Sequence, residues 1–198
     1  MYRHFFKRLI DIVSALILLP LVLLVIFIMT FIIRIDDNGP VFYNAKRMGR
    51  NGKPFKMFKL RSMKVNAPDL RNADGSTFNS DHDPRVTRTG RFMRKTSIDE
   101  IPQILNVLKG DMSFIGPRPV LANKPYTEYD EIRRKRLTVR PGITGYSQAF
   151  FRNSITQDEK FQYDCYYVDH LTFRLDVKIL FVTVYSVLRR KNINTEHS

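Results

Sequence analysis

The chain has 198 residues, enough for one domain and short of two, and 43% of them are apolar, enough to build a core. Lysine and arginine number 33 against 19 acidic residues, and the net charge of +14 attracts polyanions: nucleic acid, anionic lipid headgroups or phosphorylated small molecules. One cysteine, Cys165, excludes an internal disulfide and suits a reducing compartment, and the four histidines are too scattered for a zinc site.

The first element is apolar. Ile12 to Ile33 is a run of 22 residues without a charge, in which only Ser14 and Thr30 are polar. As a helix it is about 33 Å long, close to a bilayer's hydrocarbon thickness. It is too long for the core of a cleavable signal, and no small-residue cleavage site follows. A buried core helix is the competing reading. Arg3, Lys7 and Arg8 precede the run, and Arg34, Lys46, Arg47, Arg50 and Lys53 follow it. The positive-inside rule would keep both flanks in the cytoplasm. A helix that breaks and turns back satisfies that, and Pro20 lies inside the run to kink it. Prolines also occur in true spanning helices, so a straight span stays open.

Next, Asn38-Gly39-Pro40 is a turn, Val41 to Tyr43 reads as a strand, and Gly49 and Gly52 mark a second turn. Phe55 to Leu60 alternates apolar with basic residues, so a hairpin with its basic residues on one face is expected. Residues 64–90 are rich in Asn, Asp, Gly, Ser and Pro and read as a long loop. Its "RNADGSTF" lacks the first ligand and the closing Glu of a calcium loop. Arg91 to Lys109 reads as helical with a break near an acidic pair; Ile98, Ile101, Leu105 and Leu108 give its apolar spacing, and Gly110 ends it. "GPRP" (116–119) and "RPGITG" (140–145) are rigid turns. Tyr126–Leu137 and Asp158–His170 read as helices, and Leu171–Leu188 as a core helix or one lying on a membrane surface.

The pattern has no P-loop, no G-x-G-x-x-G and no G-x-S-x-G. "DHD" (81–83) is similar to a metal-binding Asp-x-Asp, although a turn explains it as well. The pair Asp99-Glu100 in "TSIDEIPQ" says more. Proline sits well only in a helix's first turn, so Pro102 places both acids at a helix start. With Asp99 as N-cap the proline falls at N3; with Ser97 as N-cap, Glu100 completes a capping box. Free N–H groups there favour anions. Fixed arginines in Pro-Arg-Pro and Arg-Pro-Gly turns suit bidentate capture of phosphate, and a carboxylate can attack phosphorus.

Together these motifs resemble the monotopic phosphoglycosyl transferases, the bacterial sugar-transferase family. The likeness runs through "KRLIDI" (7–12), "GPVFY" (39–43), "FKMFKLRSM" (55–63), "DPRVTRTGRFMRKTSIDEIPQILNVLKGDMSFIGPRP" (83–119), "RPGITG" (140–145) and "LDVKIL" (175–180). It looks like the small, core-only form. The resemblance implies transfer of sugar-1-phosphate from a UDP-sugar to polyprenyl (undecaprenyl) phosphate, with release of UMP. It makes Asp99 the nucleophile and a ligand of Mg²⁺, with Mn²⁺ as an alternative, and Glu100 an assistant in proton transfer or positioning. Arg94, Arg118 and Arg152 match phosphate- or nucleotide-binding positions, and Lys59 and Asp176 further active-site positions. Arg61, Arg140 and the flanking Pro117 and Pro119 join them as candidate substrate-binding residues.

The expected architecture is α+β and mainly helical. It comprises a re-entrant membrane helix broken at Pro20 (1–36) and a cytoplasmic catalytic unit (37–198). The unit carries a small β-hairpin and amphipathic interfacial helices around the active site. The expected location is the cytoplasmic face of the bacterial inner membrane. Membrane lipid is an expected partner, nucleic acid is not, and a homodimer is left open. Three positions depart from the family: Leu19-Pro20 replaces a later Ser-Pro, Ala45 replaces a common Gln, and Phe150-Phe151 replace Asn-Gly beside Arg152. The alternatives are a metal-dependent glycosyltransferase using Asp81 and Asp83 that releases UDP, and a basic adaptor without catalysis.

Overall fold

A 30-residue α-helix, α1 (Lys7–Asp36), dominates one side of the molecule. The computed structural model describes residues 1–70, 78, 80, 83–152 and 154–189. After α1 come β1 (Ala45–Met48), β2 (Pro54–Met57), α2 (Arg88–Thr96), α3 (Gln103–Lys109), β3 (Ser113–Ile115), α4 (Glu131–Arg136), β4 (Gly142–Thr144), α5 (Tyr146–Phe150), α6 (Gln157–Asp169) and α7 (Phe173–Leu188). The fold is α+β and mainly helical, as the sequence predicts. The calcium-like text at 71–77 and Asp81 lie outside the described residues.

The helix break expected at Pro20 is absent, because α1 runs through it as one α-helix. Proline there forgoes one backbone bond, and the bonds on either side carry the helix on. Both ends of α1 are tied to the same folded unit. Near its start, Arg8 donates to the carbonyls of Val107 (2.6 Å) and Leu108 (2.9 Å), and Asp11 accepts from Ser113 Oγ (3.0 Å) and Phe114 N (3.1 Å). Ala15 is buried with Phe55, Met57, Val107 and Met112. At the far end, Met29 and Ile33 pack with Val41, Leu60 and Met93. The buried positions Asp11, Ala15, Val22, Met29 and Ile33 recur at helical spacing and form a narrow stripe. Leu16, Ile17, Leu21, Leu24, Phe27 and Phe31 remain exposed on the rest of the helix.

The hairpin forms as expected in kind, with its first strand four residues later than read. β1 and β2 pair antiparallel, and a further bridge joins Phe42 to Leu60. Its turn uses left-handed backbone at Asn51 (φ 55°) and Gly52 (φ 76°). Phe55 and Met57 face the core, and Lys46 and Lys56 stand opposite each other on the exposed face. The strands β3 and β4 were not expected: they pair in parallel, Ser113 with Gly142 and Ile115 with Thr144. Two apparent loops, "GPRP" and "RPGITG", are therefore the ends of a small sheet. Behind it, Ile115, Val139, Ala149, Tyr167, Val168 and Ile179 form the core shared by α5, α6 and α7. α7 turns Phe173, Leu180, Phe181, Val184 and Tyr185 outward.

Candidate active site

The predicted break in the 91–109 helix is present, and it builds the site. α2 ends at Ser97, whose left-handed backbone (φ 59°, ψ 18°) lets its N–H meet the carbonyls of Met93 and Arg94. A single 3₁₀ turn, Ile98–Glu100, carries the acidic pair. Neither capping arrangement drawn from the sequence forms. Ser97 makes no side-chain cap, and Pro102 is itself the N-cap of α3, where its missing N–H removes no bond. The break also turns the helix: Pro102, Gln103, Asn106 and Val107 are buried, while Ile98, Ile101, Leu105 and Leu108 are half-buried.

Asp99 is only 2% exposed. Lys59 Nζ lies 2.8 Å from its Oδ2 and 3.4 Å from Glu100 Oε1. Arg118 reaches the same Glu100 oxygen at 3.3 Å. Burial pushes the Glu100 carboxyl up, but the charges of Arg118 and Lys59 outweigh it and hold the group down to about 2. Arg94 donates from Nε to Ser62 Oγ (3.0 Å). Burial lowers its pKa while Asp99 and Asp83 oppose the shift, so its guanidinium lies within electrostatic reach of the nucleophile candidate.

Local structure explains how residues so far apart in sequence meet. Asn106 is fully buried. Its Oδ1 accepts from Phe58 N (2.8 Å) and its Nδ2 donates to Lys56 O (2.8 Å) and Asp111 Oδ2 (3.2 Å). The exit of β2 is thereby stapled to α3, which brings Lys59 over the 3₁₀ turn. The Leu60 amide completes the attachment by donating to Asp99 O (2.9 Å). The sequence reading missed Asn106; its only signal was a lone polar residue on the apolar side of a helix. Pro117 and Pro119 are buried and Arg118 between them is exposed, so the rigid turn throws one guanidinium toward Glu100.

Three sequence candidates make their bonds to groups other than the acidic pair. Arg61 is 6% exposed. It bonds Asp37, through both carboxylate and carbonyl, and Pro40 O, so it clamps the end of α1 and does not join the acidic pair. Arg140 donates from Nε to Gly110 O (2.9 Å), at the C-terminal end of α3. Asp176 is buried and accepts from Tyr2 OH (2.6 Å), Lys7 Nζ (2.7 Å) and Tyr167 OH (2.7 Å). Arg152 follows α5 with left-handed backbone (φ 50°), and burial lowers its pKa. Its neighbour Phe151 stacks on Tyr163 with centroids 4.2 Å apart. Asp83 is 1% exposed and its carboxylate is engaged by Arg85 through Nε (2.9 Å) and Nη2 (2.7 Å).

No group of three or more His, Cys, Asp or Glu side chains able to hold a metal occurs among the described residues. Magnesium needs less: it is commonly held by one or two carboxylates together with substrate phosphates and water. Asp99 and Glu100 are adjacent hard-oxygen donors of that kind.

The chain matches the sequence profile of the bacterial sugar transferase family over residues 2–190. It is 43% identical over 192 residues to the uncharacterized sugar transferase EpsL of Bacillus subtilis, covering 96% of this chain and 92% of that protein. It is 39% identical over 199 residues to the undecaprenyl-phosphate galactose phosphotransferase of Salmonella typhimurium, covering 94% of this chain and 41% of that protein. With the UDP-glucose:undecaprenyl-phosphate glucose-1-phosphate transferase of Escherichia coli the identity is 38% over 186 residues, 90% of this chain and 39% of that protein. The chain thus spans nearly all of the Bacillus relative and about two fifths of the other two.

Proposed function

Because the chain belongs to the bacterial sugar transferase family, we propose that it transfers a sugar-1-phosphate from a UDP-sugar to polyprenyl phosphate, releasing UMP. The two relatives named above for sugar-phosphate transfer to undecaprenyl phosphate support the substrate classes. One observation carries the mechanism: Asp99 is buried at a 3₁₀ turn and held by Lys59, with Arg118 on its neighbour Glu100. A carboxylate fixed among cations meets a diphosphate without moving, and the cations receive charge that its attack displaces.

In this reading an Asp99 carboxylate oxygen bonds to the sugar-bearing phosphorus. The bond from that phosphorus to the bridging oxygen breaks, and UMP leaves with the electron pair. A phosphate oxygen of the polyprenyl phosphate then bonds to the same phosphorus, and the bond to Asp99 breaks. The product is a polyprenyl-diphospho-sugar and the carboxylate is restored. Lys59 orients Asp99 toward phosphorus. Glu100, with a pKa near 2, is a poor proton acceptor at neutral pH, which favours its positioning role. Arg94, Arg118 and Arg152 are the candidate phosphate contacts. Mg²⁺, or Mn²⁺, held by Asp99 and the diphosphate oxygens, would offset phosphate charge.

The membrane reading has its own support. α1 is about 45 Å long as a helix, and both its ends are bonded to one folded unit. Because α1 is unbroken, it meets that condition by lying along one leaflet with its exposed apolar face in the hydrocarbon; a span through the bilayer would put its two ends on opposite sides. The exposed apolar face of α7 suits the headgroup boundary. The active site then faces the cytoplasm at the inner membrane, where nucleotide-sugars are available. The rival that uses Asp81 and Asp83 is disfavoured, because Arg85 occupies the Asp83 carboxylate.

The test incubates the purified protein with a panel of UDP-sugars and polyprenyl phosphate and identifies the nucleotide released. UMP is expected, and UDP would overturn the reaction class. Intact mass with a UDP-sugar alone should show a sugar-phosphate adduct on the wild type and none on Asp99→Asn. An adduct on that variant would sink the nucleophile assignment.

A further inference from the structure

Four arginines gather on the far side of α3 from the acidic pair. Arg8 donates through both terminal nitrogens to Val107 O (2.6 Å) and Leu108 O (2.9 Å). Arg140 donates from Nε to Gly110 O (2.9 Å). Arg50 donates from Nε to Thr138 O (3.2 Å), and Arg3 from Nη2 to Thr138 Oγ1 (3.3 Å). The carbonyls of 107–110 and the carbonyl and hydroxyl of Thr138 thus collect all four guanidinium groups. Burial, then the charges of Arg8 and Arg50, holds the Arg140 pKa below its ordinary value, which marks the three as close neighbours.

The cluster is uncompensated. No carboxylate lies within salt-bridge distance of any of the four among the described residues. Asp11 is within electrostatic reach of Arg8 and Arg140, but its carboxylate is engaged by Ser113 and Phe114. Lys7, one residue from Arg8, is already paired with Asp176 at 2.7 Å. The carbonyls that hold the cluster are at the C-terminal end of α3, where partial negative charge offsets only part of four positive charges.

Resting on the membrane reading above, we infer that Arg3, Arg8, Arg50 and Arg140 form a binding site for the phosphate of an anionic bilayer phospholipid, distinct from the site of the reacting phosphates. Planar guanidinium groups with unused N–H donors suit a phosphodiester. The position selects a lipid. Arg8 is four residues before the apolar run, about 6 Å along the axis, so it flanks the segment of α1 whose apolar face meets the membrane. Phe5 and Phe6 beside it are exposed at 61% and 43%, giving the apolar and cationic pairing of a headgroup boundary. A reacting phosphate belongs at Asp99, before the start of α3; the cluster is at the other end of that seven-residue helix, roughly 10 Å away. One phosphate does not serve both places.

Vesicle flotation tests it, comparing neutral phosphatidylcholine with vesicles containing phosphatidylglycerol, at low and raised salt. Arg8 and Arg140 also cap α3, so the variant is the double Arg3→Gln/Arg50→Gln, whose bonds to Thr138 are exposed. The wild type should prefer phosphatidylglycerol in a salt-sensitive way. The double variant should lose about 25-fold of that preference, roughly fivefold per arginine, and still float on neutral vesicles through α1. An unchanged preference overturns the inference. So does a raised KM for polyprenyl phosphate in neutral detergent, which would hand the site to the acceptor. Failure of the wild type to float on either vesicle would instead overturn the membrane reading beneath it.

Discussion

Lys59 Nζ stands 2.8 Å from Asp99 Oδ2 and 3.4 Å from Glu100 Oε1, so one ammonium bridges both acids of the pair. Lys59 is one residue from Leu60, whose amide bonds the Asp99 carbonyl, so the ammonium is held by backbone as well as by charge. Removing it leaves the Asp99 carboxylate buried without that partner. Lys59→Met is therefore expected to lose about 10²- to 10³-fold in the rate of UMP release, the scale of one preorganised electrostatic contact. Lys59→Arg should recover part of this. The measurement is kcat for each variant, beside a thermal melt in detergent. A Lys59→Met enzyme at wild-type rate would remove Lys59 from the site.

Glu100 gives a pH signature. Its carboxyl is held at about 2 in the folded protein against an ordinary 4.5. A depressed pKa means that folding favours the charged form. The stabilisation is complete above 4.5 and is lost as pH falls from there toward 2. Melting temperature should therefore drop more steeply through that window for the wild type than for Glu100→Gln. The two curves should converge at the acid end. Parallel slopes would show that the Arg118 and Lys59 contacts do not hold the carboxylate in solution.

Much of this was legible because local chemistry is strong there. Pro102 and Gly110 punctuate the helix where the sequence predicts, because a missing N–H and a left-handed backbone leave few alternatives, whereas the left-handed turn at Ser97, uncommon for a residue with a side chain, had no such signal. The alternation of Phe55, Met57 and Leu60 with lysines announced the hairpin. Long-range facts were not legible. Nothing in "RPGITG" announces that it pairs in parallel with residues nearly thirty positions earlier, because three-residue strands carry too short a period to read. The fates of Arg61 and Asp176 depended on Asp37 and on Tyr2, Lys7 and Tyr167, partners that spacing does not reveal. Arg61 is a candidate on its charge and Asp176 on the family resemblance, and neither route sees such partners. The continuity of α1 through Pro20 is a similar case: proline weakens one bond, and the neighbours decide whether the helix stops.

Arg61 separates scaffold from chemistry. It joins Asp37 and the Pro40 carbonyl at the end of α1, close to where Leu60 packs with Ile33 and Met93. Arg61 is buried but the Asp37 side chain is 28% exposed, so removing Arg61 costs less than the ~3–5 kcal/mol of a fully buried pair and still forfeits its bonds to the Asp37 and Pro40 carbonyls. Arg61→Ala should lower the melting temperature of the detergent-solubilised protein markedly. Turnover per folded molecule, measured well below that temperature, should change by less than about threefold, a difference of under 1 kcal/mol in barrier. A large loss of kcat with an unchanged melt would return Arg61 to the substrate site.

Gly142 links the small sheet to the dyad through backbone alone. A Cβ at this position would fall 2.1 Å from Gly116 N and 2.4 Å from Thr144 O, and neither atom can swing aside. The contact is close because Gly142 N donates to Pro117 O (3.0 Å) and Gly116 N to Thr144 O (2.9 Å), which draws the two chains together. Gly116 and Pro117 lead directly into Arg118, whose guanidinium is 3.3 Å from Glu100. Gly142→Ala must therefore part β3 from β4 and shift the Pro-Arg-Pro turn. The expected destabilisation is about 3 kcal/mol, toward the upper end for overpacking, because backbone must move. Activity should fall further than the unfolded fraction accounts for, since the displaced turn carries Arg118 with it. The check is UMP release by Gly142→Ala below its melting temperature, compared with Arg118→Gln. Similar losses in the two variants would support transmission through the turn. Full activity in Gly142→Ala beside a defective Arg118→Gln would show that the turn holds its place without the sheet.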